Sequence, residues 1–185
     1  LHLARLELEA GERKSAIDAA RRAISLQPAG ASGYLELARV AFDHDDREET
    51  LTALASARTL QHAPPQAELW YHLLRHHQKT NPHQSNPHDA PSAIQALSEL
   101  ARRCPSVAAE VDAACYMLQH MGGARLFSSA RETLRFAAAA APPSGPTVEL
   151  GVHHGVSLRW LRECREGPLH GFDSFDGLPE AWVGV

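Results

Sequence analysis

The sequence predicts an α-rich fold in two parts: helical hairpins over most of the chain, then the first strand-helix-strand unit of an α/β domain. Three observations carry this reading. A Leu-Ala pair recurs after 34 residues, at Leu3-Ala4 and Leu37-Ala38, within helical apolar patterns. Towards the C-terminus the pattern shortens, and Val148-Glu149-Leu150-Gly151-Val152 reads as a short buried strand bounded by prolines and glycines. Beyond the glycine turn at Gly151 and Gly155, Val156, Trp160, Leu161 and Cys164 form a helical stripe, with Arg159, Arg162, Glu163 and Arg165 beside it.

In chain order, Leu3, Ala4, Gly11, Ala16, Ala20, Ala23 and Pro28 describe a helix, a glycine turn, a second helix of small residues and a stop. Tyr34, Leu37 and Ala38, a turn at Asp43 to Asp46, then Leu51, Leu54 and Ala57 before Pro64-Pro65 repeat that plan in phase. This grid resembles the tetratricopeptide repeats, in which small residues let paired helices approach closely. The resemblance implies a solenoid with a groove for a peptide or protein partner.

A third hairpin begins at Trp70, Leu73 and Leu74 and resumes at Ala93, Leu97 and Leu100, ending at Pro105. Between them Gln78 to Ser92 carries two Asn-Pro pairs and reads as a turn lengthened by roughly seven residues. His76, His77, His83 and His88 crowd this region and read as solvated rather than as metal ligands, for lack of helical i,i+4 spacing. Val107 to Ala141 suits either a fourth repeat or an entry pair of helices. Val111, Ala114, Cys115 and Leu118 form one face, Gly122-Gly123 a turn, and Leu126, Ala130, Leu134 and Ala137 another. A degenerate repeat whose second helix docks on the next domain is favoured. The expected division is residues 1–141 as repeats (about 1–30, 31–65, 66–106 and a degenerate 107–141) and 142–185 as the start of the α/β domain, joined at Pro142-Pro143-Ser144-Gly145.

In the C-terminal part Gly167-Pro168 stops the helix, and Leu169 to Phe172 forms a second strand ending on Asp173, 18 residues past Gly155. Glycines without a Cβ let a ligand approach the backbone, and a helix N-terminus offers free N–H groups to an anionic group. An acid at the end of the following strand suits the hydroxyls of a ribose. The expected ligand is a nucleoside with a charged tail. The dinucleotide pattern G-x-G-x-x-G is not met, since the turn runs Glu149-x-Gly151-x-x-x-Gly155-x-Ser157, which argues against NAD.

These segments, VELGVHHGVSL followed by HGFDSFDGLPEAW, resemble the class I S-adenosylmethionine-dependent methyltransferases, in the branch with an E-x-G-V-x-x-G-x-S turn and a G-F-D-S-F-[ED]-G-L-P-E-x-W segment. The resemblance implies a Rossmann-like domain, truncated in this chain, with S-adenosylmethionine as cofactor. Glu149, Gly151 and Gly155 would line its methionine end, with Ser157 at the helix start. Asp173 would take the ribose hydroxyls, and Ser174 and Phe175 would lie beside the adenosine. Taken singly, the glycines could serve strand-helix packing, Asp173 a turn, and Phe175 and Trp182 a core. The catalytic residues are unknown, and no base or metal ligand is assigned; magnesium, used by several members of the family, would be held by residues outside this chain. The acceptor would be a small molecule, a sugar or a secondary-metabolite hydroxyl.

The 185 residues carry a formal net charge of −4, which favours neither nucleic acid nor an anionic membrane surface as partner. Cys104, Cys115 and Cys164 match no metal or disulfide spacing and read as buried reduced thiols, which suits a cytoplasmic protein. The competing readings are a repeat protein whose C-terminal unit is a non-catalytic remnant, and a nucleotide-sugar or NAD enzyme. On the methyltransferase reading the chain is a fragment, inactive alone, with an apolar strand edge at Leu169 to Phe172.

Overall fold

The structure, a computed structural model, describes residues 12–77 and 90–177. Among these residues lie eight α-helices and two short strands: α1 (Arg13–Leu26), α2 (Ala31–Asp43), α3 (Arg47–Arg58), α4 (Pro65–His76), α5 (Ala90–Arg103), α6 (Ala108–His120), α7 (Ala130–Ala140), β1 (Thr147–Leu150), α8 (Val156–Cys164) and β2 (Leu169–Phe172). The fold is α-rich, as the sequence predicts. None of the described helices is long and apolar enough to cross a membrane. Leu3, Ala4, Gly11, His83, His88 and Trp182 lie outside the described residues.

The chain divides into two units, Leu1–Leu126 and Phe127–Val185. In the first, successive helices α1 to α6 pack against one another. One buried cluster joins Ala20 of α1, Leu37 and Ala38 of α2, Ala53 and Leu54 of α3, and Leu74 of α4. A second joins Leu69 and Leu73 of α4 to Leu97 and Leu100 of α5, and to Val107, Val111 and Ala114. Each fully buried leucine contributes about 1.5–3 kcal/mol relative to an exposed one. Of the small residues on the 34-residue grid, Ala16, Ala20 and Ala57 are fully buried, whereas Ala23 is half-buried.

Local chemistry explains the hairpin ends. The Asp46 carboxylate accepts the Glu49 N–H at 3.1 Å, capping α3, while Glu48 and Glu49 complement its N-terminus. Pro64 and Pro65 open α4, where a missing N–H costs nothing. The Arg47 guanidinium donates to the carbonyls of Arg75 and His77 at 2.8 and 2.9 Å, satisfying the C-terminal end of that helix. Asp45, in the turn between α2 and α3, adopts φ 61°, a left-handed backbone that few residues other than glycine take readily.

Several sequence readings are corrected here. His77 is not solvated: it is 2% exposed, and its Nε2–H donates to the Met121 carbonyl at 3.1 Å. Position 77 ends α4 on the inner side, where hydrogen bonding to a distant loop substitutes for water. Helix α5 already includes Ala90 to Ser92, which the sequence assigned to the turn. The two compact units meet between residues 126 and 127: Leu126 packs with both clusters of the first unit, and α7 lies in the second.

In the second unit α7 packs against α8, and Arg131 donates to Glu163 at 2.5 Å between them. Strands β1 and β2 pair in parallel, Thr147 with Leu169 through Leu150 with Phe172. One sheet face, with Glu149 and Gly171, lies under α8. The other is bare, with Val148, Leu150 and Phe172 exposed by 52, 80 and 57%. The strand expected to be buried is thus only half-buried, at Thr147 and Glu149 on one face, and nothing among the described residues packs on its outer face. Cys164 is likewise exposed instead of buried, on a helix with no buried residue.

Two predictions follow from the first unit's geometry. Glycine in place of Asp45 leaves stability unchanged or raises it by up to about 1 kcal/mol, whereas Asp45→Val lowers it by about 1–2 kcal/mol, because a branched Cβ crowds left-handed backbone. Urea unfolding measures both, and equal stability of the two variants would contradict the assignment. Burial holds the His77 imidazole below the usual histidine value, the Met121 carbonyl opposes this shift and Arg47 adds to it. Its stabilising effect is therefore full above about pH 6.5 and is lost as pH falls from there through the depressed folded value. An NMR titration of the ring should place its midpoint below about 6.5; a midpoint at or above that value would contradict its burial.

Candidate functional site

The site predicted from sequence gathers at the carboxyl ends of β1 and β2. Parallel pairing ends at Leu150 and Phe172, and the Gly151 N–H continues it by donating to the Phe172 carbonyl at 2.8 Å. The chain then turns. Gly151 has φ 83° and Gly155, which caps α8, has φ 68°, both left-handed conformations that side chains resist. A Cβ added at Gly151 would meet no atom within 4 Å, so the backbone there borders open space. Between the glycines, His153 also adopts a positive φ of 46°. The Gly155 N–H donates to the Val152 carbonyl at 2.8 Å, and Arg159 reaches back to the His154 carbonyl at 3.1 Å, so the turn is held from both sides.

Glu149 and Ser157 meet beneath this turn, the Ser157 hydroxyl donating to Glu149 Oε1. That bond occupies Ser157 with orienting the carboxylate. The other oxygen, Oε2, is closed off from solvent and has no hydrogen-bond partner among the described residues. A buried carboxylate oxygen without a donor is costly, so this position has an unmet need for an N–H or ammonium group.

Asp173 follows β2 directly. Its Oδ2 accepts the His153 N–H at 2.7 Å and its Oδ1 the Phe175 N–H at 3.2 Å. The His153 N–H, followed by that of Phe175, holds the Asp173 carboxyl below the usual carboxylate range, while desolvation opposes them. The carboxylate is therefore ionised at neutral pH, and these bonds weaken only as pH falls through the depressed value. Ser174 and Phe175 lie on the exposed segment beyond, Phe175 at 75% exposure and φ 58°, so Phe175 is no core residue.

All seven residues predicted from sequence thus lie in or next to the two loops at one end of the strands. Two contributors were not predicted. Gly171 admits the close approach of Val152 and Leu158: a Cβ there would lie 2.7 Å from Val152 Cγ2 and 3.2 Å from Leu158 Cδ2. A glycine inside a strand is the signal that could have found it. The His153 backbone N–H is the other, and no side-chain pattern reports it. The rings of His153 and His154 lie 3.8 Å apart; among the described residues no group of three or more His, Cys, Asp or Glu could hold a metal ion.

No protein-family model matches this chain, and no curated protein or solved structure matches it either. The functional reading therefore rests on the residues and their arrangement.

Proposed function

We propose that the chain carries part of the cofactor site of an S-adenosylmethionine-dependent methyltransferase of Rossmann-like class I type, joined to tetratricopeptide-type repeats. The observation that carries this reading is the joining of a glycine turn after β1 to a carboxylate at the end of β2, across a parallel strand pair. Ligands of open α/β sheets bind at this end of the strands. The residues present suit the cofactor. Open space beside Gly151 admits close approach to the backbone, and Asp173 retains acceptor capacity for two ribose hydroxyls. The unpartnered oxygen of Glu149 matches the ammonium of the methionine moiety.

The cofactor supplies an electrophilic methyl group on a sulfonium. Methyl transfer is an in-line displacement in which positioning provides much of the acceleration, and the named residues contribute by binding and orientation. The acceptor in this reading is a small molecule, a sugar or a secondary-metabolite hydroxyl. No base or metal ligand is assigned to the chain, so any magnesium would be held elsewhere. The repeats would serve a protein or peptide partner or hold the enzyme together, and we place the protein in the cytoplasm.

One observation favours a second reading, a repeat interaction module with a non-catalytic C-terminal unit. Of the buried apolar residues described, all but Ala138 lie in the first unit, so the packed core belongs to the helices. Cofactor binding separates the two readings. In equilibrium binding of radiolabelled S-adenosylmethionine, Asp173→Ala should weaken affinity by about ten- to a hundredfold, as a charge-assisted bond to the ribose is lost. Gly151→Val should abolish binding while leaving the helical content intact. Unchanged affinity in both variants would leave the turn a structural feature only.

A further inference from the structure

Two segments border the proposed site, residues 151–155 after β1 and residues 173–177 after β2, and each contains a non-glycine residue in left-handed backbone: His153 at φ 46° and Phe175 at φ 58°. Such conformations persist where the surroundings over-determine them, and they concentrate at ligand-binding sites. Both residues donate their N–H to the same carboxylate, His153 to Oδ2 and Phe175 to Oδ1 of Asp173. The bond to Phe175 by itself is an ordinary local turn of an aspartate onto the residue two positions on. The bond to His153 spans 20 residues and joins the two loops.

The geometry points to Asp173 as a positioning residue, one carboxylate that latches the β1–α8 turn to the segment after β2 before any ligand arrives. The inference rests on the nucleoside reading of the site and deepens it, because it gives the acid a task in the free protein besides contacting ribose. The two tasks are compatible. His153 and Phe175 each take one acceptor site, on opposite oxygens, and a carboxylate oxygen can accept a further donor from a vicinal diol beside them. The ligand then meets loops already fixed relative to each other, and the ordering cost of binding falls. The Gly155 bond to Val152 and the Arg159 bond to His154 brace the turn internally, but neither reaches the second loop. Asp173 alone makes that link among the hydrogen bonds described for these loops outside the strand pairing.

Amide hydrogen exchange on the full chain, without ligand, tests the latch. In Asp173→Ala the His153 and Phe175 amides should both exchange at least about tenfold faster, while Gly151, bonded to the Phe172 carbonyl, keeps its rate. Asp173→Asn retains one acceptor oxygen and should preserve slow exchange at one of the two amides only. Acceleration at Phe175 with His153 unchanged would overturn the latch, leaving a local turn. Acceleration that extends to Gly151 in both variants would also overturn it, because the carboxylate would then support the sheet and not the loops. Titrating S-adenosylmethionine and NAD into the unaltered chain tests the cofactor reading separately: coupled exchange together with tighter binding of NAD would retire the cofactor and keep the latch.

Discussion

Four residues of parallel pairing, Thr147–Leu150 against Leu169–Phe172, fix where the chemistry of the C-terminal unit can lie. Parallel strands end on the same side, so the turn after one and the acid after the other are neighbours although 20 residues separate His153 from Asp173. The Gly151 N–H extends the ladder one step beyond β1, which sets the start of the turn. A shift of one residue in this register would move Glu149 to the bare face and Val148 beneath α8. The carboxylate that meets Ser157 would then point away from it.

The two units are stabilised differently. In the helical unit, burial of Leu73, Leu97, Leu100 and a series of alanines supplies the driving force, and capping by Asp46 and Arg47 satisfies the helix ends. The second unit depends more on directional bonds: the strand ladder, Ser157 to Glu149, the two N–H groups on Asp173, and Arg165 to the Pro142 carbonyl at 2.6 Å. Its outer sheet face, with Leu150 and Phe172, adds little burial. A two-stranded sheet of this kind is marginal by itself, since one helix covers only one of its faces.

Features set by local spacing were legible in the sequence. The bounds of α8, Val156 and Cys164, coincide with the ends of its apolar stripe, and the turn glycines have the positive φ that their residue type suggests. The α-rich character followed from helical periodicity in the same way. What depended on distant partners was not legible. His77 is buried because a carbonyl 44 residues later receives its ring N–H, and no pattern near residue 77 announces that. Val148 and Leu150 carry the composition of a buried strand, yet exposure is decided by what packs on them and not by their own hydrophobicity. Asp45 accepts left-handed backbone without being glycine, so a search for glycine turns passes over it. In the candidate site the order of strand, glycine turn, helix, strand and acid was legible from spacing, while the backbone donor at His153 was not.

The central claim is that the glycine turn and Asp173 form one nucleoside-binding cradle. An amide-resolved NMR titration of the chain with S-adenosylmethionine, with NAD as the control, tests it most directly. The account predicts shifts confined to Gly151, His153, Gly155 and the segment from Asp173 to Phe175, with NAD much weaker. Shifts located among α1 to α6, or equal response to both ligands, would contradict it.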